Sequence, residues 1–482
     1  MLKKQSPEDY CEQSFKGATL GNKCRNRRCI QLATRMAKHP GRTLPQLSKR
    51  FYDVKATYAL FKRPEATVDN LQAGHRQWVR AQMLEPGEHL LVEDDSNAAW
   101  ADTRKIKGLG PVNGNEQGGQ GFVMHTVLAM HWVGEPSFGP LPHRPAVHVE
   151  GIADQQFVIL PRKLVVSPHH HERAQSTDEF ITDLWEKSTN RLGDAPKASC
   201  VRWTRVADRG ADIYEFVSGC KTHGYGFVVR ASQLGRALVD PKTGHRSHTH
   251  LREKADAAPC LASFKLELRE RPQHPARTAH LCVSAVAVSL ASPQRPGHPP
   301  GTLPPIDCWV VRVWEPSPLD GVESLEWYLL TDRPVTTFLQ ALRVSLQYTT
   351  RWVVEEFHKG LKTGLGLERL HLEEASRLEA CAAIMSVVSL RLLDLREHLR
   401  ISPQAPAAES GLDELELKIL AAETERTLKT VQDVALAVGS MGGHLGRKRD
   451  GMPGWQSLTL GLTTLLDMVA GARLAARLGI YG

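Results

Sequence analysis

The sequence has no run of about eighteen apolar residues, the length that a membrane-crossing helix requires. Its first residues, Met-Leu-Lys-Lys-Gln-Ser-Pro-Glu-Asp, lack the apolar core of a signal peptide. Together these absences predict a soluble, unexported chain at work in the cytoplasm, with no membrane partner. A disulfide framework is missing too, since the nine cysteines are odd in number and scattered from Cys11 to Cys381, a pattern that suits a reducing compartment. Cys11, Cys24 and Cys29 match no common zinc spacing, and His169 to His171, with His245, His248 and His250, read as surface-loop residues. Nor is there an acidic balance. The 61 Lys and Arg residues outnumber 53 Asp and Glu, for a net charge of +8 and a pI near 9.0, which favours a polyanionic partner and nucleic acid first.

At 482 residues the chain is long enough for several domains. Residues 1–75 read as helical and basic. Cys24-Arg-Asn-Arg-Arg28 leads into a helix around Ile30 to Lys38, Pro40-Gly41 interrupts it, and Leu44, Leu47, Phe51, Val54, Tyr58 and Phe61 recur at roughly helical spacing over two short helices. With Arg27, Arg28, Lys55 and Arg63 around them, these helices suit a small DNA-reading module, with a helical cap of basic surface as the plainer alternative.

From residue 76 strands and helices alternate. His89-Leu-Leu-Val-Glu-Asp94 reads as a short buried strand that ends in a carboxylate. Phe122 to Trp132 and Val147 to Ile152 follow as strands, Ser176-Thr-Asp-Glu179 as a capping box opening a helix to Leu192, and Cys200 to Ala207 as a strand ending at Asp208. A helix over Ala211 to Cys220 and a strand at Phe227 to Arg230 continue the alternation. Residues 232–333 read as a β-rich insertion, with strands at Phe264 to Leu268, Leu281 to Leu290, Trp309 to Trp314 and Glu326 to Thr331 and a Pro- and Gly-rich loop from Pro293 to Pro305. The chain then returns to helix, with an exposed linker expected near Ser402 to Gly411. In the last helix Leu458, Leu462, Leu465, Val469, Ala472 and Ala476 alternate steps of four and three, a seam for a second copy or for the chain's own core.

One stretch carries polar residues that make chemical sense as a set. Read as a helix, Tyr348 to Lys362 puts Tyr348, Arg351, Glu355 and Lys362 within a stripe roughly 60° wide, opposite Trp352, Val353, Phe357 and Leu361. A solvated, ion-paired helix face is the plain alternative to a surface aimed at an anion. Glu355 joins Asp94 and Asp208 as a third carboxylate far apart in sequence. Three such acids are what a two-metal phosphoryl-transfer site needs, because hard divalent cations take oxygen ligands.

Tyr348-x2-Arg351-x3-Glu355-x6-Lys362, with Val206-Ala-Asp-Arg-Gly-Ala-Asp212 and Val92-Glu-Asp94, resembles the bacterial cut-and-paste DDE transposases of the insertion-sequence-four family, transposon-five type. Fainter likeness at Leu20-Gly-Asn and Trp455-Gln-Ser-Leu extends it over nearly the whole chain. The resemblance implies an α/β fold with a ribonuclease-H-like catalytic domain at 76–395, interrupted by the β-rich insertion. A helical DNA-binding domain at 1–75 and a helical dimerisation domain at 396–482 would flank it. It further implies Asp94, Asp208 and Glu355 as catalytic metal ligands for Mg²⁺, two ions per site, with Mn²⁺ able to substitute. Tyr348, Arg351 and Lys362 would hold DNA phosphates, Trp327 would stack on a flipped base, and Arg230 would touch DNA.

The implied activity is a nucleoid-associated bacterial homodimer that binds the inverted repeats at the ends of its element, excises it through a hairpin intermediate and joins the 3′ ends to target DNA. A catalytically silent DNA-binding regulator and a structure-selective nuclease on the same fold are the alternatives. Two departures stand out: Asp95 follows Asp94 where relatives carry a hydroxyl, leaving open which acid binds metal, and Gly210 replaces an acid in a way expected to loosen its turn.

Overall fold

The computed structural model describes residues 5–48, 50–112, 119–134, 147–161, 177–268, 277–293, 303–318, 324–447 and 450–479. Four helices open the chain: α1 (Pro7–Phe15), α2 (Lys23–Lys38), α3 (Phe51–Phe61) and α4 (Val68–Gln82). Ser6, Asn22 and Thr67 cap three of them by accepting the backbone N–H of Asp9, Arg25 and Asn70. The Asn22 cap moves the start of α2 upstream of the expected Ile30, so Arg27 and Arg28 lie on the helix and not ahead of it. Phe51, spaced like a core residue, is 73% exposed, because α3 is buried only through its second half at Thr57, Leu60 and Phe61.

The middle of the chain forms one mixed sheet. Its elements are β1 (Gly87–Trp100), β2 (Gly110–Pro111), β3 (Gln120–Trp132), β4 (Val147–Val158), α5 (Thr177–Leu192), β5 (Val201–Ala207), α6 (Tyr214–Thr222) and β6 (Gly226–Arg230). They continue with β7 (Ala237–Val239), β8 (Arg246–His250), α7 (Leu251–Asp256), β9 (Ala262–Leu268), β10 (Arg277–Leu290), β11 (Ile306–Trp314) and β12 (Glu326–Thr331). Among the described residues the order is β2-β3-β1-β5-β6-β12-β11-β10-β7-β8, with β4 on β3 and β9 on β10. β1, β3 and β4 pair antiparallel, whereas β1, β5 and β6 run parallel. The expected β-rich insertion is therefore not a separate layer. Its last strand, β12, pairs antiparallel with β6 and extends the same sheet.

Both faces of the sheet are covered, which is why Leu90 to Val92 of β1 form an unbroken apolar run. Leu90 and Val92 enter one core, shared with Phe357 and Leu378, while Leu91 enters the other with Trp185 and Phe216. β1 runs on past the expected end at Asp94, because β3 stays paired with it to Trp100 after β5 has stopped. His248 and His250, expected in a loop, lie exposed on β8 at the sheet edge.

Helices α8 (Phe338–Thr349), α9 (Trp352–Lys359) and α10 (Ala375–Ile401) cover the Leu90 face. Tyr348 to Lys362 is not the single regular helix that the spacing predicts. The hydroxyls of Thr349 and Thr350 donate to the carbonyls of Leu346 and Gln347 where α8 ends, and Gly360–Gly364 widens into a π turn. Three further helices close the chain: α11 (Glu414–Thr424), α12 (Val431–Met441) and α13 (Trp455–Leu478). The stretch expected as an exposed linker instead buries Ala407 and Ser410, and Pro406 bridges to Thr430. Leu458, Leu465 and Val469 of the seam pack with Leu420 and Val434, whereas Ala472 and Ala476 are exposed. α13 is long and apolar enough by length and composition to cross a membrane, with a mean hydropathy of 1.3 over its best window, but Asp467 and Arg473 interrupt it and it gives no evidence for a membrane.

All nine cysteines are free. Ser176 of the capping box, His169 to His171 and most of the Pro293 to Pro305 loop lie outside the described residues.

Candidate functional site

The parallel ladder of β1 and β5 ends at Glu93 opposite Ala207. The next residue on each chain segment is an aspartate, so Asp94 and Asp208 leave the paired region side by side. Asp94 shares the face of Leu90 and Val92 and points toward α9, whose first turn carries Glu355. Arg351 joins the two: Nη1 donates to Asp94 Oδ2 at 2.8 Å and Nη2 lies 2.5 Å from Glu355 Oε1. Burial raises the Asp94 carboxyl to about 7, helped by the nearby charges of Asp208 and Asp95 and opposed by Arg351.

Asp208 is fixed by its own turn. Its Oδ1 accepts the Gly210 N–H at 2.8 Å and caps the short 3₁₀ turn Arg209–Ala211. The loosening expected at Gly210 is not seen, since its N–H closes the turn onto Asp208. A Cβ there would come within 3.2 Å of Asp208 Oδ1 and 3.3 Å of the Trp185 ring, so glycine leaves that space free.

The oxygen donors of Asp94, Asp208 and Glu355 are of the type that a hard divalent cation takes, but among the described residues the three are not drawn together as a ligand cluster. Arg351 stands between Asp94 and Glu355 instead and pairs with both.

Glu93 and Asp95 flank Asp94 but face the other side of the sheet. Glu93 is fully buried and receives Arg205 through Nε at 2.6 Å and Nη2 at 2.5 Å. His125 Nδ1 lies 2.6 Å from Asp95 Oδ1, with its Nε2 3.5 Å from Glu93 Oε2. Burial opposes charge on both groups, yet Arg205 and His125 hold Glu93 below its ordinary value, and Asp95 and Glu93 push His125 up to about 10. The strand's alternation therefore leaves Asp94, not Asp95, beside Asp208 and Glu355. Sequence reasoning missed Arg205 and His125. Their only signal was the run of three acids Glu93-Asp94-Asp95, which a two-sided strand must compensate on both faces.

The remaining residues of the stripe are engaged within the chain. Lys362 Nζ donates to Ser96 Oγ at 3.0 Å and to the Asn97 carbonyl at 3.1 Å, on β1 just beyond Asp94. Tyr348 is buried, its ring 6.1 Å from that of Trp327. Arg230 closes β6 opposite Leu329 and reaches the Glu326 carbonyl at 3.4 Å, which gathers Arg230, Trp327 and Tyr348 on one side of the carboxylates.

In the N-terminal helices Arg27, Lys55 and Arg63 are exposed, while Arg28 is half-buried against Asp53 at 3.1 Å. An aromatic pair missed in the sequence stands beside them: Phe51 and Tyr52 are 73% and 70% exposed, with Lys55 Nζ 4.8 Å from the Phe51 ring and the Arg28 guanidinium 5.8 Å from the Tyr52 ring. Large rings left in water next to cations suit a base or sugar surface.

Residues 7–66 match the transposase DNA-binding family model. The match spans α1 to α3, the same segment that carries the exposed aromatic and basic side chains. It supports a DNA-binding transposase, and with it DNA as the partner of these helices.

Proposed function

We propose that the chain is a DNA transposase of the bacterial cut-and-paste DDE type, similar to the insertion-sequence-four family and the transposon-five type. The observation that carries this reading is the Arg351 bridge, which joins Asp94 to Glu355 next to Asp208 although Arg351 and Asp94 lie 257 residues apart in the chain. The DNA-binding match at 7–66 supports it, and so does the strand order β4-β3-β1-β5-β6, three antiparallel strands followed by two parallel ones, which suits a ribonuclease-H-like catalytic domain.

On this reading α1 to α3 seat the chain on element-end inverted repeats through Arg27, Lys55 and Arg63, with Phe51 and Tyr52 against the groove. Asp94, Asp208 and Glu355 hold Mg²⁺, two ions per site, which when bound supply activation of a water or a 3′ hydroxyl and neutralisation of the leaving oxygen. Arg351 fixes the approach of α9 to β1 and offers its guanidinium to phosphate once the carboxylates have a stronger cation. Lys362 keeps the β1 segment beyond Asp94 in place and presents charge beside the cut. Trp327, next to Tyr348, stacks on a base displaced from the hairpin, and Arg230 steadies the same strand. Excision, hairpin opening and joining of 3′ ends to target DNA then use one site in a nucleoid-associated homodimer of the bacterial cytoplasm, with the exposed end of α13 available for pairing.

The test is cleavage of linear DNA carrying the gene's flanks, with Mg²⁺, Mn²⁺ or neither, by wild type and Glu355→Gln. Metal-dependent cuts at two inverted sites, lost in the variant while binding persists, are expected. Binding with no cut in either protein would make the chain a silent regulator, and cuts on branched DNA without strand transfer would make it a nuclease.

A further inference from the structure

Near the start of β1, five residues before Asp94 and on the opposite face of the sheet, three side chains converge from three adjacent strands: His89 of β1, His131 of β3 and Glu150 of β4. One ligand atom from each lies within 4.8 Å of the others. His89 is fully buried, with Nδ1 2.9 Å from both Glu150 carboxylate oxygens and Nε2 2.9 Å from the Glu85 carbonyl. That backbone contact places a proton on Nε2, and the approach of Nδ1 to Glu150 places a second one there, which a metal ion held by Nδ1 and the carboxylate would displace. The His131 ring meets His89 edge-on, with centroids 5.0 Å apart, and is half-exposed.

Two backbone features keep the three together. Gly87, at φ 138°, passes so close that a Cβ would lie 2.5 Å from His131 Cε1, so only glycine lets the imidazole fold in over the start of β1. Glu150 stands in an irregularity of the β3–β4 ladder: Ala129 pairs with Gly151 and Met130 with Val149, leaving Glu150 as the extra residue.

We propose that His89, His131 and Glu150 form a second metal site that takes Zn²⁺ and ties β1, β3 and β4 together. Two imidazoles and one carboxylate are borderline donors that suit Zn²⁺ and leave a coordination position for water, whereas Mg²⁺ prefers oxygen donors throughout. The site is independent of the carboxylates at Asp94 and does not rest on the chemistry assigned to them. A clasp across the three antiparallel strands would instead make the sheet's stability respond to zinc.

The experiment uses full-length protein stripped with chelator, in wild type and in an Asp94→Asn/Asp208→Asn/Glu355→Gln background that removes the other three carboxylates. Zn²⁺ is titrated by calorimetry, Co²⁺ binding is followed by its visible spectrum, and melting is recorded with and without Zn²⁺. One Zn²⁺ per chain is expected in both backgrounds, with the intense absorption of four-coordinate Co²⁺ and a rise in Tm. Affinity should fall at least about 100-fold in the half-exposed His131→Ala, beyond the effect of a supporting contact alone. Absence of stoichiometric binding in the folded wild type, six-coordinate Co²⁺, or binding unchanged by His131→Ala would overturn the proposal and leave His89 and Glu150 as a buried ion pair.

Discussion

Glu93 and Asp94 are neighbours on one strand and have opposite surroundings. Glu93 faces a sealed compartment where Arg205 and His125 answer its charge completely. Asp94 faces a partly open one, shares a single arginine with Glu355 and has a second acid beside it. Burial alone does not separate a structural carboxylate from one proposed to be reactive. What separates them is whether the compensating charge is built in or left to be supplied, and a site that must accept a cation or a phosphate has to leave it out.

The strongest way to break this contrast is to remove the built-in partner. Arg205→Met strands a buried carboxylate and is expected to cost about 3–5 kcal/mol. Arg351→Met, whose carboxylate partners keep a route to solvent, is expected to cost at most about 1 kcal/mol. Urea melts of the two variants at one pH check this, and equal losses would erase the distinction between the two faces.

A carboxylate away from the site sharpens it. Glu379 on α10 is pushed up to about 7 by burial, so the folded state favours its protonated form. Stability should therefore fall as pH rises from the unfolded value near 4.3 through 7, and Glu379→Gln should recover on the order of 1–3 kcal/mol at pH 8 and little at pH 4. Parallel melts at the two pH values test it, and a wild-type curve as flat as the variant's would contradict it. If activity is unchanged in Glu379→Gln, an uncompensated acid without acidic neighbours marks burial and not function.

The smallest effect concerns Lys362, at the rim of the open face. Lys362→Ala should lower the slope of log K against log salt for end DNA by about one, with cleavage reduced in step with occupancy. A slope unchanged from wild type would confine the lysine to its contacts with Ser96 and Asn97.

Much of this was legible in the sequence because the strands are buried on both faces: Leu90 to Val92 and Phe227 to Val229 announce themselves as short apolar runs, Val201 to Ala207 as a strand rich in β-branched and aromatic residues, and the acids that follow β1's run and β5 mark where their ladder stops. The spacing of Arg351 and Glu355 was legible as well, since one turn separates them. The break at Thr349 and Thr350 was not, because hydroxyls that bend a helix are the same residues that sit quietly in many others. The Arg205 network and the histidine cluster were hidden for a different reason. Each needs the register of strands that are far apart in sequence, and no local period encodes which residue of β5 stands beside Glu93 or which residue of β4 is left unpaired opposite β3.

The pairing of β6 with β12 reaches into the life of the chain before it is folded. During synthesis β6 emerges roughly a hundred residues ahead of the strand that covers it, which at about 5–20 residues per second leaves an uncapped sheet edge for about 5–20 s. A bare strand reading Gly-Phe-Val-Val-Arg is a template for any other extended segment, including its copy on a neighbouring ribosome. Slowing translation through residues 232–325 should thus raise the aggregated fraction of newly made protein, and the yield of soluble chains would be set by the tempo of the ribosome across the insertion.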